Sequence, residues 1–197
     1  FSHSLTGTVT FNTGTGNATL FNAVGTDIGT SNVGGNLEIE SVTGNITDSG
    51  QLTVGGTSVF RTDATSATIL IDFPAALTGN VSFFTSGAGG DATLINTIGT
   101  QLGLSNVSGN FAVTSNTGDI LDNAAISVTG TSSFTTLANN ASITVDDNNH
   151  TMTGTIFLNT VGAGGDASIF NTVASDIGTS NVGGNLSIFN NAGNITD

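Results

Sequence analysis

A nine-residue phrase that occurs three times is the feature that most constrains this fold. Residues 29–37 read GTSNVGGNL, residues 178–186 repeat that string letter for letter, and residues 103–111 read GLSNVSGNF. The copies lie 74 and 75 residues apart in a chain of 197 residues. Internal similarity at a fixed period is typical of proteins built from stacked units, each of which buries its apolar face against its neighbours. We therefore expect one continuous stack rather than separate globular domains.

Apolar and polar residues alternate inside each repeat. Leu5, Val9 and Phe11 are separated by even numbers of positions, and the same spacing relates Ile69 to Ile71. A period of two, together with many Val, Ile, Phe and Thr residues, predicts short β-strands that bury one face. No segment has a sustained period of 3.6, and the abundant Gly, Thr and Asn residues are poor helix formers. The sequence thus predicts an all-β protein.

Glycine precedes most of the longer predicted strands, and its spacing indicates how the chain winds. These glycines are Gly7, Gly35, Gly56, Gly79, Gly109, Gly130, Gly154 and Gly184. Their intervals of 21 to 30 residues predict about three coils in each repeat of 74–75 residues. Parallel strands of successive coils would stack about 4.8 Å apart. We attribute the longest interval of each repeat to a coil lengthened by a Gly-rich insert, at residues 86–91 and 161–166.

This reasoning predicts a right-handed parallel β-helix, or β-solenoid, that runs as one domain over residues 1–197. Its repeats are expected at residues 5–76, 77–151 and 152–197, the last of them incomplete. An antiparallel β-sandwich is the alternative, since it also alternates and has frequent turns. A sandwich does not require a repeat of this length, so the solenoid is favoured. Within it, turn Asn side chains are expected to bond the Asn side chains above them, while Asp and Glu point outward.

The charge of the chain is one-sided and disfavours some classes of partner. One cation, Arg61, and 14 acidic residues give a net charge of −13, which opposes binding to nucleic acids and to anionic membrane surfaces. The acidity is expected to serve solubility, and the binding of many divalent cations is the alternative. There is no cysteine for a disulfide, and no apolar run is long enough to cross a bilayer. With 37% hydrophobic and 8% charged residues, the chain is expected to be ordered.

No pattern of catalytic residues stands out, and we predict that the protein is not an enzyme. The close acidic pairs are Glu38 with Glu40, Asp119 with Asp122, and Asp146 with Asp147. Glycoside hydrolases need two carboxylates that flank the bond they cleave. Their sugar clefts also carry Trp or Tyr side chains, and this chain has neither.

Metal binding is predicted only in a weak form. His3 and His150 occupy matching places but are two repeats apart, so we interpret them as turn residues rather than as a ligand pair. Asp91 and Asp166 end Gly-rich turns that resemble those of calcium-binding β-rolls. Such rolls need tandem turns that share each ion, whereas this turn occurs once per repeat and has Asn17 in the first copy. Asp91 and Asp166 are therefore weak calcium candidates, and no other cofactor is expected.

Several phrases resemble the repeats of filamentous-haemagglutinin-like proteins, the large β-helical surface adhesins and exoproteins of Gram-negative bacteria. They are GGNLEI at residues 34–39, GNITDSGQLTV at residues 44–54 and GTSVF at residues 56–60. The resemblance extends over essentially the whole chain, although the secretion domain of that family has no counterpart here. It implies a right-handed parallel β-helix that is secreted and displayed as a fibre or stalk.

The two ends of the sequence carry no polar cap of the kind that solenoids use for solubility. The chain starts near a repeat boundary, and Asp197 stands in the phase of Asp48. No signal segment opens it, which suggests an internal or processed start at Phe1. An uncapped parallel edge offers free N–H and C=O groups to another strand. We expect a segment of a longer array or a subunit that stacks end to end.

The sequence therefore predicts a non-enzymatic extracellular structural protein, a shaft segment of a surface filament or adhesin. The alternative is a binding module for a glycan, a cell-surface ligand or ice. Such a module would use a flat outward face of Thr, Ser and Asn side chains, with Thr8, Thr10, Thr131 and Ser133 as candidates. No insertion into a membrane and no binding of nucleic acid are expected.

Overall fold

The computed structural model describes residues 3–197, which form 24 β-strands and no helix. The strands build two faces of a flattened solenoid. The first face contains β2 (Ala18–Asn22), β5 (Leu37–Ser41), β8 (Ser58–Thr65), β10 (Asn80–Ser86), β12 (Thr100–Leu102), β13 (Ser105–Val107), β15 (Ile120–Asp122), β16 (Ile126–Val128), β18 (Ile143–Val145), β19 (Thr151–Met152), β21 (Ala167–Asn171) and β23 (Leu186–Asn190). Within the described range there is accordingly no helix that could span a membrane.

The second face is built in the same way from the strands that alternate with these along the chain. It contains β1 (Thr8–Val9), β3 (Thr26–Ile28), β4 (Ser31–Val33), β6 (Ile46–Asp48), β7 (Leu52–Val54), β9 (Ile69–Leu77), β11 (Ala92–Asn96), β14 (Phe111–Ser115), β17 (Ser132–Asn139), β20 (Thr155–Val161), β22 (Ser175–Ile177) and β24 (Ile195–Thr196). A coil is one circuit that crosses both faces, and the chain makes about 9 of them. The strands of successive coils pair in parallel. The predicted all-β parallel solenoid is confirmed, and the antiparallel sandwich is not what forms.

Each long repeat occupies three and a half coils, so equivalent strands alternate between the faces. The first strand of the repeat is β2 on the first face, β11 on the second face and β21 on the first face again. From β2 the first face continues through β5, β8 and β10, and the chain then reaches β11 across half a coil. Residues 74–75 positions apart therefore point to opposite sides of the molecule.

The long glycine intervals have a different cause from the one that the sequence suggested. Gly79 lies where the chain passes from the second face to the first, and Gly109 lies where it passes from the first to the second. The 30 residues between them are one and a half coils, not one coil lengthened by an insert. The sequence-based count of about three coils per repeat is therefore close, and the added half coil rotates each repeat by half a turn.

The core is a set of continuous apolar columns along the axis. Phe60, Phe83, Phe111 and Phe134 are fully buried on successive levels. The centroids of neighbouring rings lie 5.7, 5.4 and 6.0 Å apart, the spacing of favourable aromatic pairs. Each such buried side chain contributes roughly 1.5–3 kcal/mol through removal of apolar surface from water.

The corners between the faces explain why glycine marks the coils. Oδ1 of Asn17 accepts a hydrogen bond from the backbone N–H of Asn36 at 2.8 Å, and Oδ1 of Asn36 accepts one from Thr57 at 2.9 Å. A Cβ atom on Gly35 or Gly56 would overlap these same oxygens. The Asn side chains thus bond the backbone of the next coil. The predicted bonds between stacked Asn side chains are not what forms at these corners.

Candidate functional site

The two calcium candidates lie on opposite edges of the solenoid. Asp91 is in the passage from β10 on the first face to β11 on the second, whereas Asp166 is in the passage from β20 on the second face to β21 on the first. Oδ1 of each carboxylate accepts a backbone N–H of the next coil at 2.6 Å, from Asn110 and Asn185 respectively. Among residues 3–197, no three His, Asp or Glu side chains come together as a metal site would require.

The two histidines, which the sequence places at matching positions, lie in different surroundings. His3 is exposed, whereas the side chain of His150 is fully buried. Nδ1 of His150 accepts the backbone N–H of Ile126 at 2.9 Å, which places the ring proton on Nε2. Nε2 lies 3.1 Å from Oδ2 of Asp122, in close electrostatic contact but without hydrogen-bond geometry. His150 does lie in a turn, since its backbone N–H donates to the carbonyl oxygen of Asp147 at 3.4 Å, but its side chain is buried within the stack.

Two aspartates at equivalent positions depart from the expected outward placement of acidic residues. Oδ1 of Asp48 accepts the backbone N–H groups of Asp72 at 3.0 Å and Phe73 at 3.2 Å, while its Oδ2 is buried without a partner. Burial raises the pKa of Asp48 to about 6. Asp122 accepts the matching N–H groups of the next coil and faces His150 instead. A carboxylate occupies this corner because two successive backbone N–H groups there need a hydrogen-bond acceptor.

A buried asparagine recurs once per repeat, and sequence reasoning missed it. Oδ1 of Asn96 accepts the N–H of Leu77 at 3.0 Å, and its Nδ2 donates to the carbonyl oxygens of Leu77 at 3.1 Å and Gly99 at 3.0 Å. Asn22 and Asn171 make the same three types of bond. Counting by twos from Ala92 and Leu94 would have placed this residue inside the core. The side chain joins the strand that opens the repeat to the preceding coil.

An outward column on the first face contains the one cation of the chain. Phe21, Glu40, Arg61 and Phe84 stand on successive strands. The guanidinium carbon of Arg61 lies 4.2 Å from the ring centroid of Phe84, and its Nε lies 3.9 Å from Oε2 of Glu40. Burial and the carboxylate of Asp63 raise the pKa of Glu40, and Arg61 acts in the opposite direction. Arg61 therefore has a structural use within this column.

The hydroxyl groups predicted to form a flat binding face are partly engaged within the molecule. Oγ1 of Thr8 donates to Oδ2 of Asp27 at 2.7 Å, and Oγ1 of Thr131 donates to Oδ1 of Asn110 at 2.9 Å. Because each long repeat rotates by half a turn, residues equivalent to Thr8 do not form one rank along one face. The outward faces are consequently mixed in composition.

Comparison with known proteins identifies the repeat itself. A family model described as repeats of unknown function (DUF5649) matches residues 15–84 and 89–159. The two matches begin 74 residues apart, the same offset as the nine-residue phrase. Neither the curated proteins nor the solved structures give a significant match to this chain.

Proposed function

The chain belongs to the family of repeats of unknown function (DUF5649), and we propose that it is a non-enzymatic structural protein. Its proposed role is that of a shaft segment in an extracellular filament or adhesin, with the solenoid axis along the shaft. The resemblance to filamentous-haemagglutinin-like repeats supports this proposal, as does the single cation, which leaves trypsin one site to cut.

The observation that best supports the proposal is that polar side chains form hydrogen bonds between successive coils. The three buried asparagines, Asn22, Asn96 and Asn171, direct their amides to backbone groups. At the corners, the carboxylates of Asp91 and Asp166 accept backbone N–H groups of the next coil. A binding site would use amide and carboxylate groups of this kind. Here these groups form hydrogen bonds that hold successive coils together.

A shaft function follows from this arrangement by simple mechanics. The backbone hydrogen bonds run along the axis, so a pulling force on the shaft is shared by every strand of a coil. The apolar columns resist bending because their packing density is that of a protein core. Since like charges are rarely stacked, dense packing along the axis carries little electrostatic cost.

A binding module is the alternative, and one surface favours it. Phe21 is 40% exposed and lies in the same outward column as Arg61 and Phe84, which offers apolar and cationic contacts to a glycan or a cell-surface ligand. An ice-binding face is less well supported, because the outward Thr and Ser residues form no regular rank. A glycan array and a thermal-hysteresis assay on the purified protein distinguish the alternative from the shaft, for which both should be negative.

Single-molecule pulling along the axis tests the shaft function directly. We expect the wild-type chain to unfold coil by coil at high force, and Asn96→Ala to lower the force at its level of the stack. Asn106→Ala is the matched control, because Asn106 is exposed and points outward. A chain that extends at low force with no dependence on Asn96 would contradict the proposal.

A further inference from the structure

We propose that a trough across the second face binds a basic amphipathic α-helix of a partner protein. The floor of the trough consists of the outward residues of β11 and β14, which are Thr93, Ile95, Ala112 and Thr114. The strands on either side of the floor, β9 and β17, form its two walls. The inference goes beyond the shaft function, because it assigns a binding surface to the side of the shaft.

A bulge in each wall raises it above the floor. In β9, residues 72–74 lie opposite one residue of β11, and in β17, residues 136–138 lie opposite one residue of β20. The bulges carry Phe73 and Leu137, which are 49% and 54% exposed. Two large apolar side chains therefore border the floor from opposite sides along the solenoid axis.

The width of the trough matches one α-helix. β9, β11, β14 and β17 are consecutive in the sheet, and successive strands lie about 4.8 Å apart, so roughly 14 Å separates the two walls. An α-helix with its side chains is about 10–12 Å in diameter. Such a helix would lie parallel to the strands and place its apolar side chains on Ile95 and Ala112, between Phe73 and Leu137.

The backbone of the floor is not available to an extended partner strand. β11 pairs with β9 and β14, and β14 pairs with β11 and β17, so the N–H and C=O groups of the floor are used within the sheet. Strand addition needs an unpaired sheet edge. A partner therefore reaches this surface through side chains, and a helix suits it because its own backbone groups are already paired.

The floor is uncharged, whereas carboxylates stand around it. β11, β14 and β17 contain no charged residue. Asp72 belongs to the bulge of β9, Asp91 directly precedes β11, and Asp119 follows β14 in the passage to β15. Asp91 and Asp119 each accept a backbone N–H of the next coil at Oδ1, which occupies one oxygen of each carboxylate.

This distribution of charge selects the partner. A helix with Lys or Arg beside its apolar stripe would bring cations close to Asp72, Asp91 and Asp119, which steers association and fixes the orientation of the helix. A second copy of this chain would instead bring a net charge of −13 against the same carboxylates. The geometry and the charge thus point to one occupant, a basic amphipathic helix.

A dye on a single cysteine reports whether the trough is occupied, because the chain itself has no cysteine. An environment-sensitive fluorophore is attached through Thr135→Cys, on the wall of the trough, or through Ser127→Cys, on the first face. The probe is a peptide of about 14 residues that contains only Leu and Lys, with Leu at positions i, i+3, i+4 and i+7 of a helix. The dye at position 135 should respond with saturation, and the dye at position 127 should not.

A peptide of the same composition in scrambled order controls for charge attraction alone. It should bind at least about tenfold more weakly than the amphipathic peptide, because it cannot place its Leu side chains on one side of a helix. Circular dichroism should show that the amphipathic peptide becomes helical on binding. This signal is clear because residues 3–197 of the protein contain no helix.

Two pairs of protein variants locate the bound peptide. Ala112→Arg should weaken binding about tenfold, because it places a long cationic side chain on the floor, and Ser127→Arg changes the net charge equally on the first face. Leu137→Asp should also weaken binding about tenfold, through the loss of an apolar wall. Its control is Leu104→Asp, since Leu104 is 56% exposed between β12 and β13 of the first face. Both controls should change the affinity by about twofold or less.

Three results would overturn the inference. The first is equal binding of the amphipathic and scrambled peptides, or no binding of either. The second is an equal loss of affinity in a trough variant and its first-face control. The third is a response of the dye at position 135 to protein concentration without peptide, since the occupant would then be a second copy. None of them alters the pulling experiment on the buried Asn96, so this inference and the shaft function can fail separately.

Discussion

At the scale of single residues, the fold depends on polar side chains placed where an apolar stack offers no other partner. Asn96 is fully buried and satisfies both the N–H and the carbonyl of Leu77. An unpaired buried backbone group costs about 1–3 kcal/mol, so one amide side chain protects several such groups. The inward Asn is for this reason as much a part of the core as the Phe column.

Asn96→Ala should therefore lower the free energy of unfolding by about 3 kcal/mol, because it leaves buried groups of Leu77 and Gly99 without partners. Denaturant titration followed by circular dichroism measures the change. Asn106→Ala, on the outward side, should change it by less than about 0.5 kcal/mol. Equal effects of the two substitutions would show that the buried amide has no special role.

The aspartate corner predicts a pH dependence of stability. The pKa of Asp48 is raised to about 6 from 3.8, so between these values the folded state binds more protons than the unfolded state, and stability falls as pH rises. Asp48→Asn should remove this loss and stabilise the protein at pH 7 by about 1 kcal/mol, since solvent screens the half-buried group. Thermal unfolding from pH 4 to pH 8 checks both effects.

Asp122→Asn is the informative counterpart, because the same position in the second repeat faces Nε2 of His150. An amide there would set its N–H₂ group against a ring N–H. We expect destabilisation at pH 7, the opposite sign to Asp48→Asn. If both substitutions stabilise the protein, the assigned tautomer of His150 is incorrect.

At the scale of elements, each coil corner combines a glycine with the side chain of the coil below. Gly109→Ala should destabilise the protein by about 2 kcal/mol or more, because the new methyl group would overlap Oδ1 of Asp91 and the backbone of Gly90. Gly7→Ala is the matched control, since nothing lies within 4 Å of the position its Cβ would take. The melting temperatures of the two variants test this prediction. A similar loss of stability in both variants would argue against a steric requirement for glycine at the corner.

How much of the fold and of the candidate site could be predicted from the sequence differs between elements. Alternation in segments such as Ile69 to Ile71 predicted strands correctly, because an inward side chain must be apolar in a dry core. The corner glycines predicted the coils, because they mark a steric requirement. The environments of Asp48, Asp122 and His150 depend on which residues become neighbours about 25 positions away, and the period of two carries no information on that register.

At the scale of the whole molecule, the half turn of each long repeat decides what the protein presents to its surroundings. Seven crossings of the faces make one repeat, and an odd number of crossings places equivalent residues on opposite sides. A ligand that needs one residue type in a long rank would find that rank interrupted at every repeat. A shaft, by contrast, does not need such a rank. The alternation of equivalent residues between the faces suits it, because the two sides of the solenoid become chemically similar.

Parallel stacking in register is the central claim, and disulfide cross-linking in this cysteine-free chain tests it most directly. Thr93 lies beside Ala112, and Ile95 lies beside Thr114, on outward positions of β11 and β14. Cysteine pairs at 93/112 and 95/114 should oxidise readily, while the crossed pairs 93/114 and 95/112 should stay reduced, because their Cα atoms would be about 8 Å apart. Efficient cross-linking of the crossed pairs instead would show antiparallel pairing and contradict the account.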